Sequence, residues 1–210
     1  MLPVLTNKLW FPPVQDALSD GLLALGGDLS VDRLLLAYQS GIFPWFSEST
    51  PLWWSPDPRF VLFPDKLKVS KSMQVLQKKQ TFVTKVNSQF EQVMRHCQLV
   101  NRPGQDGTWI QEDLIQSFVQ LHQMGWAHSY EAWQGNALVG GLYGIKMGRV
   151  FFGESMFSRV SNASKYAFIA AVQQLATEGI DLIDCQVYTE HLESLGAEMI
   201  PRERFLQYLD

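Results

Sequence analysis

The chain has 210 residues, of which 46% are hydrophobic and 18% are charged, proportions typical of a globular protein with a substantial core. No apolar run reaches the roughly 20 residues that span a bilayer, and the first ten residues lack the apolar stretch of a secretory signal. The two cysteines, Cys97 and Cys185, form neither a disulfide framework nor a metal-ligand motif. We therefore expect a cytoplasmic monomer with no membrane partner.

Positive charge is concentrated in one segment, although the net charge of the chain is −4. Between residues 66 and 85 there are six lysines and no acidic residue. Such a segment can bind phosphates while the rest of the surface, which is acidic overall, does not bind nucleic acid non-specifically. The alternative is a solubilising helix face beside a lysine-rich strand edge. The candidate phosphate contacts are Lys66, Lys68, Lys71, Lys78, Lys79 and Lys85.

Prolines and glycines interrupt the first 62 residues at short intervals, and the sequence predicts one helix among them. Ser30 can cap this helix, and Gly41 can end it. The apolar residues from Val31 to Tyr38 recur with the spacing of one helix face. The surrounding loops leave little room for a core, so we predict a small N-terminal α+β domain over residues 1–62.

The remaining residues, 63–210, alternate regularly between helix and strand patterns. Helices are predicted over 70–79, 89–97 and 164–178, and a fourth after a capping box formed by Thr108 and Gln111. Strands are predicted over 82–86, 127–133, 138–145, 149–152 and 180–187. The order predicts an antiparallel meander within a mixed sheet flanked by helices, and therefore an α+β fold for the whole chain.

Asp184 and Gln186 lie two residues apart in the predicted strand 180–187. Side chains alternate between the faces of a strand, so both point to one side. The carboxylate could then orient the amide through a hydrogen bond, directly or through a water. The alternative is a strand end with two solvated polar residues.

Glu154 follows the apolar run 150–152 and Gly153, and is predicted to end that strand. A carboxylate there could hold a cationic group such as an α-amine. The alternative is a glutamate satisfied by backbone donors or by Lys165.

Several tryptophans lie in loops bounded by proline or glycine. An indole there can stack on a nucleobase or pack between the loop and the core. These tryptophans are Trp45, Trp53, Trp54 and Trp109. Beside Trp54, Asp57 and Arg59 flank Pro58 and are expected to clamp its turn. The four histidines have no metal-ligand spacing, and no serine has an evident histidine–aspartate relay.

Five segments of the sequence resemble, in order and in residue type, segments of the leucyl/phenylalanyl-tRNA–protein transferases. They are residues 21–29, 41–46, 53–59, 153–158 and 182–186, and the resemblance extends from Phe11 to Phe205. It implies a small N-terminal domain followed by a GNAT-like acyltransferase domain. It also implies transfer of leucine or phenylalanine, less readily methionine, from a charged tRNA to proteins that begin with arginine or lysine, which marks them for N-end-rule degradation.

The resemblance assigns roles to particular residues. Asp184 and Gln186 match the pair that activates the attacking amine, and Glu154 matches a residue near the aminoacyl amino group. Aromatic matches near the terminal adenosine of the tRNA are Trp45, Trp109 and Tyr38. The implied apolar pocket for the transferred side chain comprises Leu142, Phe151, Met156, Leu175 and Ile183. Strand parity places Ile183 opposite Asp184, and Phe118 stands where relatives carry a tyrosine.

The implied reaction requires no cofactor, because an aminoacyl ester is already activated. Three different functions stay open on the sequence alone. The first is an aminoacyl transferase that feeds peptidoglycan peptides. The second is an acetyl-CoA-dependent acyltransferase, although residues 158–165 do not form a convincing pyrophosphate loop. The third is a non-catalytic tRNA-binding module, which would need neither Asp184, Gln186 nor Glu154.

Overall fold

The structure is a computed structural model that describes residues 2–46, 49–100 and 108–209. Helices within these residues are α1 (Val31–Gln39), α2 (Lys71–Lys78), α3 (Phe90–Gln98), α4 (Glu112–Gln123), α5 (Ala163–Thr177), α6 (Glu190–Ser194) and α7 (Arg202–Leu206). Strands are β1 (Val4–Leu5), β2 (Leu22–Gly26), β3 (Phe43–Pro44), β4 (Leu52–Trp54), β5 (Arg59–Leu62), β6 (Val83–Val86), β7 (Ala127–Gln134), β8 (Ala137–Met147), β9 (Val150–Ser158), β10 (Leu182–Gln186) and β11 (Glu198–Ile200).

The strands form two sheets. A small sheet has the order β1-β2-β4-β3, and a seven-stranded sheet has the order β11-β5-β10-β9-β8-β7-β6. The large sheet is mixed, because β10 runs parallel to β9 and antiparallel to β5. The predicted mixed sheet with flanking helices is therefore confirmed. β5 precedes residue 63, yet it belongs to the large sheet, and the division at residue 62 stays a prediction.

Local signals determine α1 but not the start of α4. The Ser30 hydroxyl accepts from the Arg33 amide, and Gly41 follows the helix with a positive φ of 72°, as the pattern predicts. Before α4, the Thr108 hydroxyl accepts from the Ile110 amide at 3.2 Å, and Gln111 is the N-cap. The predicted capping box is therefore wrong, because Thr108 lies too far before the helix.

Strand β9 contains a bulge that the sequence did not reveal. Gly144 pairs with Gly153 and Tyr143 pairs with Ser155, so Glu154 has no residue opposite it on β8. The prediction that Glu154 ends its strand is wrong, since β9 continues to Ser158. The bulge needs Gly144, because a Cβ there would collide with the carbonyl oxygen of Phe152.

Two apolar clusters cover the two faces of the large sheet. One includes side chains from α1, α3, α4 and α7 together with the small sheet, and the other includes side chains from α2 and α5. The inner strands β5 and β10 are therefore buried on both sides, whereas every residue of edge strand β6 is exposed. Polar side chains in the middle of the sheet require specific partners. In the described part of the chain, no helix is long and apolar enough to cross a membrane.

Candidate active site

A cavity of about 360 Å³ opens where β9 and β10 separate. The two strands pair in parallel only as far as Phe152 and Asp184, although both continue beyond that point. The predicted site residues that border the cavity are Trp45, Trp109, Leu142, Glu154, Met156, Ile183, Asp184 and Gln186. The structure thus brings most of the predicted site together at one break in the sheet.

The side chains of Gln186 and Glu154 form a hydrogen bond across the opening between β9 and β10. The Gln186 side-chain amide donates to the Glu154 carboxyl over 3.1 Å. Gln186 has a left-handed backbone with a φ of 59°, and the register of β10 against β5 shifts between Asp184 and Gln186. Non-glycine residues rarely adopt this conformation, and where it persists it often belongs to a functional site.

Asp184 is fully buried and contacts Gln186 through the main chain. Its Oδ1 accepts from the Gln186 backbone N–H at 3.0 Å and from Arg59 Nε at 2.8 Å, and its Oδ2 accepts from Arg59 Nη2 at 2.6 Å. A contact through a water stays a prediction, but the predicted direct contact between the carboxylate and the side-chain amide is wrong. So is the predicted turn clamp, since Arg59 pairs with Asp184 while Asp57 accepts from the Arg202 amide.

Glu154 is a half-buried residue, and removal of its carboxyl from water is the main reason that its pKa is raised to about 8. The neighbouring Tyr38 hydroxyl lowers the pKa, the charge of Asp184 raises it, and Arg59 and Gln186 lower it. The balance places proton exchange of this carboxyl close to neutral pH. Glu154 can therefore hold a proton or, when ionised, an ammonium group.

The predicted apolar pocket residues form two layers. Leu142, Met156 and Ile183 border the cavity, whereas Phe151 and Leu175 are fully buried in the cluster behind it. Ile183 and Asp184 both border the cavity, contrary to simple alternation, because β10 loses its partner β9 at this point. Leu142, Met156 and Ile183 can contact a ligand directly. Phe151 and Leu175, packed behind them, limit how far these three side chains can move.

The predicted aromatic residues also differ in access. Trp45 borders the cavity with 40% of its surface exposed, and Trp109 borders it while almost wholly buried. Tyr38 is fully buried beneath Glu154 and packs edge-on against Phe118 and Phe152. Its hydroxyl lies close enough to Glu154 to lower the pKa of that carboxyl, although it has no partner within strict hydrogen-bond geometry among the described residues. Phe118 adds no hydroxyl to this group and lies edge-on to Tyr38.

Sequence reasoning missed ten of the eighteen residues that line the cavity. The additional residues are Phe43, Pro44, Gly153, Ser155, Phe168, Cys185, Val187, Thr189, His191 and Leu192. The face of α5 that carries Phe168 could have been inferred from helical spacing, but α6, which carries His191 and Leu192, is only five residues long. Within the described ranges, no group of three His, Cys, Asp or Glu side chains could hold a metal ion.

The six predicted phosphate-binding lysines are exposed and lie outside the cavity lining. Lys71 and Lys78 are on α2, Lys79 is its C-cap, and Lys85 is on the edge strand β6. The remaining pair, Lys66 and Lys68, flank the connection into α2, and Lys66 forms an ion pair with Glu198. Contact with phosphate stays a prediction for all six.

Solved structures resemble the chain only remotely. A GCN5-related N-acetyltransferase-like protein from Streptococcus suis matches with a TM-score of 0.39 and 14% identity, over 76% of this chain and 59% of that one. A likeness at this level has no bearing on function.

Sequence relatives are much closer. The family model of leucyl/phenylalanyl-tRNA protein transferases matches residues 61–210, and the model of their N-terminal domain matches residues 27–57. A leucyl/phenylalanyl-tRNA–protein transferase from Flavobacterium johnsoniae is 55% identical over 98% of this chain and 97% of its own length. One from Nitrosospira multiformis is 55% identical over 100% of this chain and 91% of its own. The chain therefore belongs to the leucyl/phenylalanyl-tRNA–protein transferase family of aminoacyltransferases.

Proposed function

We propose that this protein transfers leucine or phenylalanine, and less readily methionine, from charged tRNA to the N-terminal arginine or lysine of acceptor proteins, which marks them for N-end-rule degradation. The observation that supports this proposal is an apolar cavity that meets two polar side chains, Glu154 and Gln186, at a break between strands. The apolar wall suits the transferred side chain, and the polar side chains suit the two amines of the reaction.

The chemistry is aminolysis of an ester. The acceptor α-nitrogen forms an amide bond with the ester carbonyl carbon, the ester C–O bond breaks, and the proton lost by the amine ends on the released ribose hydroxyl. An α-amine has a pKa of about 7.7–8.0, so a useful fraction is unprotonated near neutral pH, whereas a lysine side chain has a pKa of about 10.4. No cofactor is needed for this step.

Gln186 orients the attacking amine. Its Nε2 already donates a hydrogen bond to Glu154, so Oε1 is the atom that accepts a hydrogen bond from the amine. Asp184 acts on this step only through Gln186, because its carboxylate is buried and bonded to the Gln186 backbone N–H. Glu154 lies beside the α-amine of the aminoacyl group. Most of the acceleration then comes from placing the amine and ester together.

The test is transfer of labelled leucine from leucyl-tRNA to a peptide that begins with arginine, without ATP or coenzyme A. The expected result is label on the peptide, greatly reduced for Gln186→Ala. A peptide with an acetylated N-terminus is the matched control and should receive none.

Each contrary outcome of this assay points to a different function. Label that stays on tRNA would indicate a binding module without catalysis. Acyl transfer that requires acetyl-CoA would indicate an acetyl-CoA-dependent acyltransferase. Transfer to a muropeptide but not to the arginine peptide would indicate an enzyme that feeds peptidoglycan peptides.

A further inference from the structure

The geometry points to Arg59 as a positioning residue for this reaction, which holds Gln186 in its productive conformation through Asp184. The inference rests on the proposed function for its effect on rate, while its structural part can be tested without any transfer. It assigns a task to a buried arginine that touches neither the cavity nor a substrate.

The first observation is the shared oxygen. Asp184 Oδ1 accepts both from Arg59 Nε and from the backbone N–H of Gln186, while Oδ2 accepts from Arg59 Nη2. A two-point pair between a guanidinium and a carboxylate fixes the plane of both groups. The direction in which Asp184 presents Oδ1 to Gln186 is therefore set by Arg59.

The second observation is the backbone that this oxygen holds. Gln186 has a φ of 59°, a conformation that costs a non-glycine residue about 1–3 kcal/mol and persists only when its surroundings impose it. The hydrogen bond from its N–H to Asp184 is one such restraint. Rotation of this peptide would carry the Gln186 side chain away from Glu154.

The third observation is how firmly Arg59 itself is held. Its Nη1 donates to the Gly41 carbonyl at 3.2 Å, and its guanidinium lies between the rings of Phe43 and Phe205, 4.7 and 4.6 Å from their centroids. Phe43 borders the cavity. Arg59 therefore contacts both the strand that ends at Gln186 and another residue that lines the same cavity.

Lysine at position 59 tests this inference because it keeps the charge but loses the planar fork. In Arg59→Lys, the single-turnover transfer rate at saturating charged tRNA and peptide should fall at least about 10-fold. The Kd for charged tRNA should stay within roughly twofold, since Arg59 is buried. The matched control is Arg33→Lys, which alters another buried arginine, paired with Asp28, away from the cavity.

A double-mutant comparison separates positioning from a general loss of structure. In the Gln186→Ala background, Arg59→Lys should change the residual rate by less than about twofold, because the group to be positioned is absent. An equal loss of rate in both backgrounds would show a general structural role and overturn the inference, as would a full rate in Arg59→Lys alone.

Hydrogen exchange of the Gln186 backbone amide gives a readout that is independent of transfer. In the parent protein this amide is held by Asp184. Arg59→Lys should speed its exchange at least about 10-fold, while Arg33→Lys leaves it unchanged. Unchanged exchange in Arg59→Lys would overturn the inference. If the parent protein fails to transfer leucine, the proposed function fails, and this measurement still decides whether Arg59 positions Gln186.

Discussion

Gln186 and Glu154 meet side chain to side chain, at 3.1 Å, and each stands where its own strand departs from regular pairing. Glu154 is the unpaired residue of the β9 bulge, and Gln186 follows the register shift of β10. Continuing the parallel register of Phe152 and Asp184 by two residues would place Glu154 opposite Gln186, but the strands no longer pair there and only the two side chains meet. Two irregularities of strand pairing, the bulge in β9 and the register shift in β10, thus meet at the candidate site.

Asp184→Asn should lower kcat on the order of 100-fold, because the neutral side chain holds neither Arg59 nor the Gln186 backbone as firmly. The Kd for charged tRNA should not change, since Asp184 is fully buried. Single-turnover transfer and equilibrium binding measure the two quantities separately. Asp28→Asn, which removes the carboxylate beside another buried arginine, is the control and should retain the parent rate. An unaltered transfer rate in Asp184→Asn would refute the role given to this residue.

Glu154 should make the stability of the protein depend on pH. Burial raises its pKa from 4.5 to about 8, so between these values the folded chain keeps a proton that the unfolded chain has lost. The free energy of unfolding should therefore fall as the pH rises through this window, by at most about 1.4 kcal/mol per pH unit. Outside the window the contribution is constant.

Urea unfolding between pH 5 and 9 checks this dependence on Glu154. Glu154→Gln should show a smaller fall than the parent, because the amide does not titrate. Glu198→Gln removes a surface carboxylate paired with Lys66 and should keep the parental profile. Identical profiles for Glu154→Gln and the parent would contradict the prediction.

Replacing Lys71, Lys78 and Lys79 with glutamine should weaken tRNA binding and flatten its dependence on salt. Each lysine that contacts a phosphate contributes roughly one unit to the salt slope. Binding of charged tRNA across a range of salt concentrations measures the slope. Lys146→Gln is the control, because that ammonium is paired with Glu178. Equal slopes for the triple variant and the parent would reject phosphate contact by these lysines.

Trp45→Ala should weaken binding of charged tRNA by about 1–3 kcal/mol if its exposed indole stacks on the terminal adenosine. Trp45 stands at the cavity edge and packs against Trp54, 5.8 Å between centroids. Trp45→Phe should restore much of the affinity. Trp10→Ala removes a similarly exposed indole that does not border the cavity and should bind normally. Undiminished affinity in Trp45→Ala would exclude stacking at this position.

Local chemistry in the sequence predicted helices α1 to α5 and the meander, because caps, glycines and periodicity act within a few residues, but it did not predict the short helices α6 and α7. It did not predict the partner of Arg59, which lies 125 residues away at Asp184. Nor did it predict the full length of β9, since Gly153 and Glu154 resemble a strand end and their bulge depends on the neighbouring strand. Eight of the eighteen residues that line the cavity were identified, mainly through family resemblance, and the contacts among them required the fold.

Position 144 shows how far the functional constraint reaches from the reacting atoms. A methyl group on Gly144 would strike the Phe152 carbonyl, so β9 could keep its extra residue only by moving. Restoring an even pleat would pair Leu142 with Ser155 instead of Met156 and so change which residues of β9 share a face with it. The absence of a side chain at position 144 thus governs which residues of the neighbouring strand line the cavity, although Gly144 itself does not border it.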